Sequence, residues 1–197
     1  MKFTHHRARR RRRTTSSFEQ VIQAAKGGDD GAVSDLYLNH VAIVYGYLRT
    51  CGLTEAEDAT SEVFIGMIRG LARFNGDELD FRRWLMTIAH RRMVDQRRRL
   101  GRNRTELSDV ATLESMGNGR ATPDLRALEL DSTLVEAFGR LTEAQREVLA
   151  LRFVADMSLQ GVAVVTGRPT TAVKSLQNRG LESLRKHMSV SKAQLNA

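Results

Sequence analysis

Nine arginines stand between Arg82 and Arg104 with Asp95 as the one acid among them, a density of guanidinium charge suited to holding phosphates. Arg91, Arg98 and Arg99 lie three or four residues from Asp95 and can pair with it on a helix surface, which is the plain alternative of a solvated, salt-bridged face. One carboxylate cannot neutralise nine guanidiniums, so the surplus points to a polyanion. Something must hold that charge in place. Phe81, Trp84, Leu85, Ile88 and Ala89 recur at i, i+3, i+4, i+7 and i+8, the stripe of a helix packed on a core. The segment therefore reads as a folded helix with an arginine-rich outer face. Trp84 could stack on an unpaired base, yet its place in the stripe makes it a core residue first.

A second set of side chains lies near the C-terminus. "LQGVAVVTG" follows a capping Ser158, a turn holds Gly167 and Pro169, and a further helix opens after Thr170, the order of a helix-turn-helix. In that last helix Val173, Leu176, Gly180 and Leu184 share one side, leaving Thr171, Lys174, Ser175 and Asn178 opposite. Short polar and basic residues near the start of such a helix are the ones that reach base edges in a major groove. A three-helix bundle with an ordinary polar face has the same pattern.

The segment "EAEDATSEVFIGMIRGL" carries Glu55, Asp58 and Glu62 along one face, with Val63, Phe64, Met67, Ile68 and Leu71 on others. An acidic surface beside a basic one suits a protein partner rich in arginine, or simply water. From Leu53 to Asp80 there are seven acids against Arg69 and Arg73, and the sign then reverses. Two adjacent surfaces of opposite charge suggest two different partners.

The elements that carry these faces are helical throughout. Ser17 opens a helix that Gly27 and Gly28 stop, Asp29 or Asp30 opens the next, and Thr54 with Glu57 has capping-box spacing for a third. Gly101 to Pro123 has no sustained period and reads as a linker. Thr122 and Pro123 suit a helix start, and Thr142 with Gln145 caps "EAQREVLALRFV". No convincing strand alternation and no repeat of 20 to 50 residues occurs. The expectation is an all-α chain of two small helical domains: a basic arm at 1–16, a first domain at 17–100, a linker at 101–122, a second domain at 123–188 and a tail at 189–197.

Composition excludes several classes. The formal charge is +8, but Lys2, Arg7 and Arg9 to Arg13 supply seven of the 31 basic residues, and the other 24 nearly balance the 23 acids. No run approaches eighteen apolar residues, and no apolar stretch follows the basic N-terminus as a secretory signal requires, so the expected place of work is the cytoplasm. The single Cys51 excludes an internal disulfide and argues against a cysteine-rich zinc site. His5, His6, His40, His90 and His187 lack metal-ligand spacing with acids or cysteines, and no nucleophile–base pair or Gly-rich phosphate loop stands out. No cofactor is implied, and an enzyme is the weakest reading.

Taken together, "EDATSEVFIGMIRGLARF", "FRRWLMTIAHRRMVDQRRR" and "LTEAQREVLALRFVADMSLQGVAVVTGRPTTAVKSLQNRGLESLRK" resemble the region 2 and region 4 blocks of a bacterial sigma factor of the extracytoplasmic-function group. The resemblance spans about Phe18 to Lys186, and two blocks in the right order make it specific. It implies that the acidic helix binds the clamp-helix coiled coil of core RNA polymerase through Asp58, Glu62 and Phe64. It implies that the loop Phe74 to Asp80, with Asn75 and Asp77, captures an extruded base of the minus-ten element beside His90, Arg91, Asp95 and Arg98. It also implies that Thr171, Lys174, Ser175, Asn178 and Arg179 read the minus-35 element of promoter DNA. An anti-sigma factor is a further candidate partner. Ser61, Arg91 and Leu176 depart from the family pattern, where glutamine, asparagine and arginine are common, and the arginine arm is an addition to it. The alternatives are a helix-turn-helix regulator that acts without polymerase and an RNA-binding or ribosome-associated basic protein. The acidic helix argues against the first, and the polar recognition face against the second.

Overall fold

The computed structural model describes residues 17–103 and 132–195. Among them every element is helical and no strand occurs. A first unit comprises α1 (Phe18–Lys26), α2 (Asp30–Thr50), α3 (Ala56–Leu71) and α4 (Glu78–Asn103). A second comprises α5 (Ser132–Gly139), α6 (Glu143–Leu149) running directly into a π-helical stretch (Ala150–Val154), α7 (Leu159–Thr166) and α8 (Thr170–Leu195). The all-α, two-domain expectation holds. The arginine arm, the linker beyond Asn103 and the helix start expected at Thr122 and Pro123 lie outside the described residues. No described helix is long and apolar enough to cross a membrane.

The helix starts follow from side chains that accept the orphan backbone N–H groups of a first turn. Ser17 and Gln20 form a reciprocal capping box on α1, and Thr142 and Gln145 do the same on α6. Asp29 Oδ1 accepts from Ala32 N at 2.8 Å, and Ser158 Oγ from Gly161 N at 3.0 Å. The expected Thr54–Glu57 box does not form. The helix begins one residue later, at Ala56, so Thr54 stands too early to cap it, and the N-cap residue Glu55 instead accepts a hydrogen bond from Gln96 Nε2 at 3.2 Å. Two ends also differ from expectation: α4 continues past Gly101 to Asn103, and α8 continues through the expected tail to Leu195. One interior glycine costs a helix about 1 kcal/mol, too little to end it unaided.

Phe81 is fully buried and joins the first unit together. Its ring meets Phe18 of α1 at 5.5 Å, His40 of α2 at 5.1 Å, Phe74 at 5.4 Å and Trp84 at 5.7 Å between centroids. Helix α4 lies close on α3 because Gly66 and Gly70, one turn apart, face Ile88 and Trp84. In the second unit Val148, Leu149, Leu151, Val162 and Val173 form the core, and Gly180 makes room for Leu149. Arg146 donates to the carbonyls of Phe138, Gly139 and Leu141 at 2.8 to 3.0 Å, closing the C-terminal end of α5. Gly167, at φ 66°, ends α7 in the left-handed conformation that a side chain would strain, and the chain turns there into α8. The two units touch: α7 lies against α4, while α5 and the π-helical stretch lie against α2.

Candidate nucleic-acid interface

Three outward faces carry the residues singled out in the sequence. On α3, Asp58, Ser61, Glu62, Ile65, Ile68 and Arg69 are exposed along one side. Glu62 pairs with Arg92 of α4 at 3.1 Å. Phe64 lies on the opposite side, 5% exposed, with its ring edge-on to Tyr37 at 4.7 Å. Any contact made by this face with another molecule falls to the acids and to Ile65 and Ile68, which are 45% and 53% exposed, while Phe64 supports them from beneath.

The loop between α3 and α4 is held tightly. Asp77 Oδ1 accepts from Asp80 N at 2.8 Å and Asp80 Oδ2 from Asp77 N at 3.4 Å, a reciprocal cap on the first turn of α4. Gly76, at φ 151°, passes so near that a β-carbon would stand 2.6 Å from Asp80 Cβ. Asn75 is exposed beside it. Between this loop and α1 a cleft of about 440 Å³ opens, with Phe18, Ile22 and Phe74 as apolar walls and Asn75, Asp77 and Lys26 among its polar ones.

Along α4 the arginines divide by face. Arg91, Arg98 and Arg99 are exposed, as is Asp95. Arg83 pairs with Asp80 at 3.1 Å, and Arg92 with Glu62 as described. Arg97 turns inward, donating to the Cys51 carbonyl at 2.7 Å and to Glu147 of α6 at 2.9 Å. His90 is also turned inward, 3.0 Å from the Tyr47 hydroxyl. Burial lowers its pKa, and the charges of Arg168 and Arg97 act in the same direction against an opposing pull from Glu147. Trp84 is a packing residue, stacked on Phe74 at 5.2 Å with 28° between planes.

On α8, Thr171, Lys174, Ser175, Asn178 and Arg179 are all exposed, while Val173 and Gly180 are buried and Leu176 and Leu184 partly so. The outward set forms one polar ridge over the first three turns. Sequence reasoning missed Glu147, 6% exposed, and the exposed apolar pair Ile65 and Ile68 as a pair. The helical period itself placed Ile65 on the same face as Asp58 and Glu62; nothing local marks Glu147, whose partners are remote in sequence.

Among the described residues no group of three His, Cys, Asp or Glu side chains is placed to hold a metal ion. The described residues present an acidic and apolar face on α3, a basic face on α4, a cleft between α1 and the loop before α4, and a polar ridge on α8. These define an all-helical protein with separate acidic and basic outer faces. The comparisons agree. Residues 36–103 match Sigma-70 region 2 and residues 137–186 match Sigma-70 region 4. The chain belongs to the sigma-70 family, in the extracytoplasmic-function (ECF) group of sigma factors.

Among its relatives is the ECF RNA polymerase sigma factor BldN of Streptomyces coelicolor, 32% identical over 169 residues, covering 84% of this chain and 63% of that protein's length. SigD of Mycobacterium tuberculosis is 31% identical over 175 residues, covering 85% and 82%. The fold is similar to that of CnrH in its complex with the cytosolic domain of CnrY, with TM-score 0.63, 21% identity and coverage of 89% and 99%. It is similar also to that of RpoE from Bartonella quintana bound to the anti-sigma factor NepR, with TM-score 0.63, 22% identity and coverage of 80% and 96%.

Proposed function

We propose that this chain is a sigma factor that binds core RNA polymerase and directs it to promoters, reading a minus-35 and a minus-ten element and assisting strand opening. The observation that carries this reading is the exposure, on one chain and in the family's order, of an acidic and apolar face on α3, a basic face on α4 and a polar ridge on α8. On this reading Asp58 and Glu62 bind polymerase, with Ile65 and Ile68 supplying the apolar area. Arg91 and Arg98 hold the minus-ten backbone, Asp95 faces the same strand, and Asn75 and Asp77 edge a cleft for the extruded base. Thr171, Lys174, Ser175, Asn178 and Arg179 meet the minus-35 major groove. His90 reaches DNA only if its contact with Tyr47 is exchanged.

The domain division follows the same reading, with region 2 within 17–100 and region 4 within 123–188. No side chain is assigned a catalytic role, since polymerase carries out the phosphoryl transfer, and the place of work is where polymerase and DNA meet, the cytoplasm. An anti-sigma factor is a candidate competitor for the same surfaces. Run-off transcription with core polymerase on genomic fragments tests the reading. Promoter-specific transcripts that depend on the chain support it, whereas DNA binding with no dependence of transcription and no capture of core polymerase leaves an ordinary helix-turn-helix regulator.

A further inference from the structure

Among the described residues Glu147 is the one buried acidic side chain, and an arginine from each unit converges on it. Arg97 of α4, in the first unit, donates to Oε1 at 2.9 Å, and Arg168 from the turn between α7 and α8, in the second, donates to Oε2 at 3.1 Å. The same Arg97 ties back to its own unit through the Cys51 carbonyl at 2.7 Å, and Glu143 Oε2 lies 3.9 Å from it. A carboxylate taken out of water is costly unless its lone pairs are filled, and here that requires both units. The contact therefore ties the register of docking, α7 on α4 with α5 and the π-helical stretch on α2, to the satisfaction of Glu147 from both sides.

This closed arrangement conflicts with the proposed function in one respect. Elements named minus-35 and minus-ten lie about 25 base pairs apart, or roughly 85 Å along a duplex. A compact chain of 197 residues has a radius of gyration of only about 16 Å, hence a breadth of about 40 Å. With the units docked, the ridge on α8 and the basic face of α4 cannot reach both elements at once, although each is exposed. The stretch 104–131 fully extended reaches at most roughly 95 Å, enough to let the units separate. Separation leaves Glu147 with Arg168 and with water, and it frees Arg97 on a helix that already presents Arg91 and Arg98 to phosphates.

We propose that Arg97, Glu147 and Arg168 form a latch that holds the second unit on the first in a closed form unable to span a promoter, and that Arg97 exchanges the carboxylate for a DNA phosphate when the latch opens. The proposal rests on the sigma-factor reading for its consequence but on the ion-pair geometry alone for its existence. DNA is then a competitor for the latch as well as a ligand, and closure also keeps His90 beneath the second unit.

The test uses the full chain in four forms: unaltered, Arg97→Ala, Glu147→Gln and, as a control in an exposed pair, Arg140→Ala. Small-angle scattering of the free protein should show the radius of gyration rising by roughly a fifth or more in the two latch variants and unchanged in the control. Helical content and melting are followed by circular dichroism. If Glu147→Gln does not fold, Arg97→Ala, which leaves the second unit intact, decides alone. Dimensions equal to those of the unaltered protein in every folded variant overturn the latch. On a promoter fragment recovered by run-off transcription with core polymerase, Glu147→Gln should reach half-maximal transcript at roughly tenfold lower concentration, because less of it is held closed. Expansion without that gain overturns the inhibitory role, while failure to recover any fragment with the unaltered chain overturns the sigma-factor reading and leaves the scattering result standing.

Discussion

The Cζ2 edge of Trp84 lies so close to Gly70 that a β-carbon on Gly70 would stand 2.7 Å from it. Because a face of Trp84 stacks on Phe74, the ring has little freedom to tilt away. This contact, with that of Gly66 on Ile88, holds α3 close to α4, and so the acidic face of α3 close to the basic face of α4. Gly70→Val should lower the stability of the first unit by roughly 1 to 3 kcal/mol, the usual cost of forcing extra bulk into a packed contact. Thermal melting checks it, and a melting point equal to that of the unaltered protein would show that the indole yields.

On α3 the burial of Phe64 and the exposure of Ile68 predict opposite phenotypes. Phe64→Ala should destabilise the fold by roughly 3 to 5 kcal/mol, the range for a buried ring. Ile68→Asp, together with Asp58→Lys, should leave melting within about 0.5 kcal/mol of normal and abolish capture of core polymerase. Titration with core enzyme separates them; normal affinity in the Ile68 and Asp58 variant refutes the assignment of this face.

If the ridge on α8 and the basic face of α4 meet different promoter elements as proposed, the two should fail differently. Lys174→Ala or Asn178→Ala removes groups from the ridge on α8, where a good bidentate base contact gives roughly 1 to 3 kcal/mol of discrimination. Sequence preference in the minus-35 element should relax, with melting recoverable at high protein concentration. Arg91→Ala with Arg98→Ala should leave that preference alone and keep permanganate reactivity of unpaired thymines low even at saturation. Identical phenotypes from the two pairs overturn the division of labour.

Mild acid should loosen the fold through two histidines. Burial lowers the pKa of His40 against the opposing hydrogen bond of its Nδ1 to the Leu36 carbonyl at 2.9 Å, with Arg82 lowering it further and Glu78 opposing; burial likewise lowers that of His90, between Tyr47, Arg97, Arg168 and Glu147. Folded chains keep both imidazoles neutral at pH values where unfolded chains have protonated them, so the unfolded state binds more protons below about pH 6.5. Stability contributed by these groups is complete above that pH and is lost as the pH falls toward the lowered folded-state values. Urea midpoints measured between pH 8 and 5 should decline over this window and decline less in a His90→Gln variant; parallel profiles would discount His90.

Local signals explain what was legible in the sequence. Ser17, Asp29, Thr142 and Ser158 cap helices because each needs only a backbone N–H two or three residues on, and the stripe from Phe81 to Ala89 faces the core because its period is helical. The Thr54–Glu57 spacing was equally local and failed, since the turn after Cys51 delays α3 by one residue and Glu55 finds Gln96, 41 positions away. The nine arginines looked alike for the same reason. Arg92 and Arg97 differ from Arg91 and Arg98 through Glu62 and Glu147, partners on other helices that no window of the sequence contains. Phe64 and Ile65 are adjacent and both apolar; the helical period sets Ile65 on the face of Asp58 and Glu62, and Tyr37 packs edge-on against the inward Phe64.

The stacking of Trp84 on Phe74 has a spectroscopic consequence. Trp84 is the only tryptophan, and Tyr37, Tyr45 and Tyr47 are the only tyrosines, so every strong near-ultraviolet chromophore of the chain belongs to α2 or α4. Indole emission and near-ultraviolet dichroism therefore watch one half of the molecule, while far-ultraviolet dichroism sums over both. A denaturation followed at the two wavelengths distinguishes sequential from concerted loss of the halves without any attached dye: coincident curves mean that they melt as one, and a far-ultraviolet step with unchanged indole emission means that α5 to α8 have melted alone.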